Sequence, residues 1–212
     1  MIVYFISGLG TDRTAFQRIK LPSGYEPFYL DWITPEQNES LAHYALRLAK
    51  SIQDEEYILV GLSFGGMVAN EIARVNRPKK IIIISSLATS DELPWYFKSL
   101  GKLRLQKIIP GRFLKTAAFL GKIMGVNSSE DKEIIYSYVR NADTKLIRWS
   151  LNAIVNWKQQ ERLPGLVHLH GRKDRLLPAK YTHPDYLIDK AGHLMVLNRA
   201  DAINAILQKE LA

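Results

Sequence analysis

Six short apolar runs rich in β-branched residues recur along the chain, separated by amphipathic stretches, and this alternation is the strongest constraint on what it can fold into. The runs are Ile2 to Ile6, Glu26 to Leu30, Tyr57 to Gly61, Lys80 to Ser85, Gly165 to His170 and Asp185 to Ile188. None alternates cleanly between polar and apolar residues, which predicts strands buried on both faces, as in a parallel sheet covered by helices. The stretches between them read as those helices. Leu41 to Ala49 follows the capping serine Ser40, Phe64 to Val75 follows the third run, and Ala200 to Leu211 closes the chain. Each crossover has the length a strand–helix–strand unit requires. At 212 residues, 47% of them apolar, the chain can bury an ordinary hydrophobic core as one domain over 1–212.

The fourth and fifth runs are separated by a much longer stretch, about Leu87 to Leu163, and residues 87–163 are expected to form a helical cap inserted into the domain. Its second half holds two candidate helices, one starting near Ser128-Ser129-Glu130-Asp131 and one over about Asp143 to Trp157. Its first half lacks Asp and Glu from Pro94 to Ser129 but carries Lys98, Lys102, Arg104, Lys107, Arg112, Lys115 and Lys122. Those cations nearly equal the chain's whole excess of +8, and apolar residues interleave them, so a basic amphipathic cap is expected. Such a surface can steer an anionic small molecule or touch an anionic membrane surface.

Composition excludes several chemistries. Without a cysteine there is no disulfide scaffold, thiolate zinc site or cysteine nucleophile, and a reducing, cytoplasmic location is expected. No unbroken apolar run approaches the roughly 20 residues of a membrane helix. The opening run lacks a basic leader and passes directly into a turn, so it reads as a strand and not as a signal peptide. No nucleic-acid-binding motif is present, and no nucleic acid partner is expected.

The chemistry concentrates where the third run ends in Gly61-Leu62-Ser63-Phe64-Gly65, immediately before a helical pattern. A serine between strand and helix is lifted above the sheet edge in a strained conformation, and the flanking glycines remove β-carbons that would clash where the two elements converge. A serine hydroxyl attacks only if an imidazole takes its proton and a carboxylate orients that imidazole. Of the five histidines, His43 falls in a helix, His168 inside a strand, His183 in a polar loop and His170 at a strand end beside Gly171. His193, in a loop after the last strand, can return to the carboxyl edge of the sheet and is the expected base. Asp174, following the fifth strand, is the best acid, with Asp185 and Asp189 as weaker alternatives. Arg172, Lys173 and Arg175 beside it are expected to favour its ionised form.

Ser7-Gly8-Leu9-Gly10 after the first strand, Gly61-Leu62-Ser63-Phe64-Gly65, His170-Gly171-Arg172-Lys173-Asp174 and Gly192-His193 together resemble the α/β-hydrolase family, whose triad runs serine, acid, histidine along the chain. The resemblance spans nearly the whole sequence apart from the cap. It implies an α/β-hydrolase fold with a shortened, all-parallel sheet of about six strands, because the chain begins at what would be the family's third strand. It also implies an oxyanion hole from the backbone N–H groups of Leu9 and Phe64, although Ser7-Gly8 stands where the family usually has His-Gly. The expected activity is serine hydrolysis of a small carboxylic ester or thioester by Ser63, His193 and Asp174, with no cofactor and no metal. Trp95, Tyr96, Phe97, Phe113 and Phe119 are candidates to line an acyl pocket. Two other classes remain open: a lyase or acyl transferase acting on an anionic substrate with the same scaffold, and a basic membrane- or nucleic-acid-binding protein without catalysis.

Overall fold

A computed structural model describes residues 1–102, 124–126, 128–141 and 143–212. Its strands are β1 (Ile2–Ile6), β2 (Glu26–Leu30), β3 (Tyr57–Leu62), β4 (Lys80–Ile84), β5 (Leu166–Gly171) and β6 (Tyr186–Ile188). They form one six-stranded sheet in the order β2-β1-β3-β4-β5-β6. Every neighbouring pair is parallel. Helices α1 (Leu41–Ala49) and α2 (Phe64–Val75) flank it. The long β4–β5 connection contributes α3 (Trp95–Lys102), α4 (Ser129–Asn141) and α5 (Thr144–Asn156). The short α6 (Met195–Asn198) and α7 (Ala200–Glu210) end the chain.

The central strands are continuous apolar runs because both their faces are covered. Tyr4, Ile6, Leu59, Ile81 and Ile83 pack with Tyr44 and Leu48 of α1 and Val68 and Ile72 of α2. Their alternates Val3, Phe5, Ile58, Val60, Ile82 and Ile84 pack with Phe16 and with Ile203 and Leu207 of α7. The expected burial on both faces does not extend to the edges. Glu26, Pro27 and Phe28 of β2 are exposed, and so is Leu187 of β6. Pro27, which has no N–H to donate, is tolerated at an edge. Strand ends also shift by a residue: Leu62 joins β3 and Gly171 joins β5, whereas Ser85 leaves β4 with a left-handed φ of 49°.

The connecting helices are fastened to this frame by polar contacts. Ser40 caps α1 by accepting from the His43 N–H at 3.2 Å, and Asp143 caps α5 by accepting from the Lys145 N–H at 2.8 Å. Trp149 in α5 donates to the Glu39 carbonyl at 2.8 Å, and Trp157 at its end donates to Glu71 of α2 at 2.7 Å. Arg18 holds α4 through Glu130 at 2.9 Å and Asp131 at 2.8 Å. Among the described residues, no helix is long and apolar enough to cross a membrane.

The contrast between centre and edge is measurable by urea unfolding. Ile83→Ala, at a fully buried position of β4, should cost about 2–5 kcal/mol, whereas Leu187→Ala at the exposed edge should cost about 1 kcal/mol or less. Equal losses would contradict this division of the core.

Candidate active site

The β3–α2 junction places Ser63 in a conformation that L-residues avoid, with φ 52° and ψ −120°. Such strain costs of order 1–3 kcal/mol and survives only where the surroundings enforce it. Here the Ser63 N–H donates to the Ile84 carbonyl at 2.8 Å, while the Ser63 carbonyl accepts from the Gly66 N–H at 2.9 Å and from the Ser86 hydroxyl at 2.6 Å. The glycines make the approach sterically feasible. A β-carbon on Gly65 would lie 2.2 Å from the Ser7 carbonyl oxygen, and one on Gly61 would lie 2.5 Å from that of Gly65. Ser86, fully buried just beyond β4, was not singled out by the motif, which contains only the β3–α2 residues.

Three side chains separated along the chain meet at the carboxyl edge of the sheet. His193 Nε2 lies 2.9 Å from Ser63 Oγ, and His193 Nδ1 lies 2.7 Å from Asp174 Oδ2. Asp174 Oδ1 accepts from the backbone N–H groups of Leu176 at 2.9 Å and Leu177 at 2.8 Å. Burial pushes the Asp174 carboxyl up, but the neighbouring His193, the hydrogen bonds from His193 and Leu177, and His170 outweigh it and hold the acid below its ordinary value. An ionised Asp174 only accepts, so Nδ1–H of His193 donates to it, leaving Nε2 to accept the Ser63 proton. The expected help from Arg172, Lys173 and Arg175 is not what holds the charge. Arg172 pairs instead with the exposed Asp189 at 2.6 Å, whereas Asp174 is buried.

The remaining candidates sort by position. Asp185 is paired with Arg162 and accepts from the His168 N–H at 2.7 Å, so neither it nor Asp189 reaches His193. His43 lies beside Glu39 at 2.8 Å, and His183 is exposed beside Glu92. His170 is closer to the site than a turn-forming role implies. Its Nε2 sits 2.7 Å from the Leu177 carbonyl and 3.4 Å from Asp174 Oδ2. A nitrogen facing a carbonyl must carry the proton, so His170 Nδ1 accepts from His168 Nε2 at 3.1 Å. Burial pushes both imidazoles towards the neutral form.

Ser63 and His193 open into a cavity of about 250 Å³. Leu9 and Phe64, the expected oxyanion donors, line it together with them. Among the described residues that line it, only Thr11, Ser63, Tyr138 and His193 have polar side chains, and none is Lys or Arg. The expected aromatic lining is corrected at Trp95 and Tyr96. Phe97 lines the cavity, but Trp95 begins α3 at 65% exposure. Tyr96 packs between Trp95, Phe97 and Tyr181 and donates to the Leu176 carbonyl at 3.3 Å. Phe113 and Phe119 lie outside the described residues, as do Arg104, Lys107, Arg112, Lys115 and Lys122. Much of the described wall is aliphatic, with Ile147, Leu151 and Ile154 on α5 and Ile135 on α4. Their spacing of three and four residues was visible in the sequence as a helical stripe.

Among the described residues, one group of side chains has metal-ligand character. Glu36, Glu39 and His43 bring ligand atoms within 4.8 Å of one another, but the Arg47 guanidinium already lies 2.9 Å from both Glu39 oxygens.

A parallel sheet with a strained serine between strand and helix, at the edge where the later strands deliver an acid and an imidazole, is the architecture of an α/β hydrolase. The family model described as "alpha/beta hydrolase family" matches residues 3–206, and the chain belongs to that family. Among solved structures, it is similar to a thermophilic esterase from Thermogutta terrifontis, with a TM-score of 0.72 and 17% identity over 100% of this chain and 89% of that one. It is also similar to 2-hydroxy-6-oxo-6-phenylhexa-2,4-dienoate hydrolase from Rhodococcus sp. strain RHA1 (TM-score 0.71, 19% identity, 99% and 90% covered). A bromoperoxidase from Bacillus anthracis superimposes with a TM-score of 0.67 at 16% identity, with 99% and 91% covered. Likeness at these identities is likeness of fold. A search of curated proteins returned no match.

The depressed Asp174 carboxyl makes acid stability a test of the geometry. The unfolded chain binds that proton more readily, so the stability Asp174 contributes is complete above the unfolded value of about 4 and is lost as pH falls towards the folded value. The urea midpoint of the wild type should fall more steeply below about pH 4 than that of Asp174→Asn. Parallel curves would place the ionised acid elsewhere.

Proposed function

We propose that the chain is a serine hydrolase that cleaves carboxylic esters or thioesters of an apolar acyl group through an acyl-enzyme intermediate. The observation that carries this reading is the continuous hydrogen-bonded line Ser63–His193–Asp174, opening into a cavity with no charged side chain among the described lining residues apart from the relay itself. His193 Nε2 takes the proton as Ser63 Oγ attacks the acyl carbon. Asp174 then stabilises the imidazolium without accepting its proton. The developing oxyanion is received by the N–H groups of Leu9 and Phe64, in a site dry enough for each such donor to contribute a few kcal/mol. Collapse expels the alcohol or thiol with the proton from His193, and water, deprotonated by the same nitrogen, releases the acid and restores Ser63.

The long β4–β5 connection is proposed as a cap, with the aliphatic faces of α4 and α5 selecting the acyl chain. The alternative of a lyase or transferase acting on an anionic substrate calls for cations around the reacting atoms, and none lines the cavity among the described residues. A cytoplasmic location is proposed on the cysteine-free composition alone.

A p-nitrophenyl ester series tests the chemistry. Ser63→Ala and His193→Ala should each lower kcat by about 10⁴-fold or more while leaving the fold intact, and a fluorophosphonate should label Ser63. Labelling of another residue, or full activity without Ser63, would overturn the assignment. The cavity makes a separate prediction. Leu151→Trp should lower kcat/KM for an octanoyl ester at least about tenfold more than for an acetyl ester, since overpacking excludes the longer chain. An unchanged chain-length profile would place the acyl group elsewhere.

A further inference from the structure

We infer that a second, more polar cavity adjoining the one above Ser63 is a substrate subsite for a hydrogen-bond-donating, non-anionic group, such as a hydroxyl-rich or ammonium-bearing end of the ester; this rests on the serine hydrolase reading. The cavity is about 220 Å³, and Gly10, Thr11 and Tyr138 line both it and the apolar one. Its remaining walls differ in kind. They include Asp12, Thr34, Asn141 and Asp143 beside three apolar side chains, whereas the aliphatic cavity has no charged residue among the described ones. In a chain of net charge +8, two carboxylates and no Lys or Arg line this space among the described residues.

The walls are held before any ligand arrives. Trp32 stacks on Phe64 with centroids 5.6 Å apart and donates to Ser7 Oγ at 3.0 Å. Asp12 Oδ1 accepts from Thr14 N at 2.8 Å and Thr14 Oγ1 at 2.6 Å. Asp143 is fixed as the cap of α5, and the Tyr138 hydroxyl lies 2.9 Å from Thr14 Oγ1. The Tyr138 phenol is pushed up to about 12, chiefly by burial, with the nearby Asp12 acting in the same direction against the Thr14 hydrogen bond. A substrate spanning both cavities therefore has an apolar body over Ser63 and a polar end between Asp12 and Asp143. Phosphate-bearing ends, such as that of coenzyme A, meet two like charges there.

The polar end can belong to the alcohol or to the far end of the acyl chain, and matched esters distinguish them. Ethyl octanoate is the reference; octanoylcholine and monooctanoylglycerol carry the polar group on the alcohol, ethyl 8-hydroxyoctanoate carries it on the acyl chain, and octanoyl-coenzyme A supplies the anionic case. One of the two polar arms should exceed ethyl octanoate in kcat/KM by about tenfold, with octanoyl-coenzyme A the poorest. Asp12→Asn with Asp143→Asn keeps both caps, since Asn accepts the same hydrogen bonds, and should reduce the ratio of the preferred polar substrate to ethyl octanoate about tenfold. Turnover without preference for either polar arm, or a ratio indifferent to both substitutions, overturns the subsite. Calorimetric binding of the same esters to Ser63→Ala separates this from the chemistry. Preferential binding of a polar-ended ester without wild-type turnover sinks the hydrolase reading alone, and equal binding of all esters sinks the subsite whatever the turnover.

Discussion

The structure depends on one backbone constraint: Ser63 is held at φ 52° between a strand and a helix that approach more closely than a β-carbon allows. The strain is local, but its support is not. The Ser63 N–H is held by β4 through Ile84, and its carbonyl by Gly66 of α2 and by Ser86 beyond β4. Strand β4, the residue beyond it and helix α2 therefore share the work of keeping the hydroxyl above the sheet. Relaxing the serine to a helical or extended conformation would break hydrogen bonds among groups that have no water to replace them.

Parallel pairing turns that local constraint into a site. When β1, β3, β4, β5 and β6 all run the same way, the residues that follow them emerge at one edge: Gly8 to Gly10, Ser63, Ser86, Asp174 and His193. Asp174 could not remain ionised in so buried a place without compensation, because desolvating a carboxylate costs several kcal/mol. The loop after β5 supplies it by turning the Leu176 and Leu177 N–H groups onto one oxygen while His193 takes the other. His170 contributes by fastening the Leu177 carbonyl of the same loop.

What could be read in the sequence follows from how local each signal is. Runs such as Lys80-Ile81-Ile82-Ile83-Ile84 have no polar face to expose, so a doubly covered strand is their natural fate. The turn serine could be recognised because its glycines answer a steric demand within five residues. Other features depended on tertiary neighbours. The exposure of Glu26, Pro27 and Phe28 follows from β2 being an edge, which only strand order reveals. Trp95 and Tyr96 carry the right chemistry for a pocket, but their place at the start of α3 turns one to solvent and the other against Tyr181. The residues that do form the wall, Ile147, Leu151 and Ile154, look like an ordinary amphipathic stripe, and a stripe does not announce which surface it will face. Likewise, Arg172 stands two residues from Asp174, yet it pairs with the exposed Asp189, a partner only the fold brings near.

The lining also bears on why the fold alone does not decide the reaction. An esterase and a bromoperoxidase both share this architecture at 16–17% identity, so the distinguishing information lies in the groups around the serine. Apolar walls have two physical consequences here. They lower the local dielectric around Ser63, His193 and Asp174, which strengthens every charge interaction along the line. They also limit selectivity, because each methylene in a hydrophobic pocket discriminates by only about 1–3 kcal/mol. Sharp choice between substrates of similar shape therefore has to come from fixed polar groups, whose burial without a partner is penalised more heavily. Among the described residues, the apolar cavity offers few such groups beyond Ser63 and His193, and a further concentration of them lies across Thr11 and Tyr138, where the two cavities share a wall.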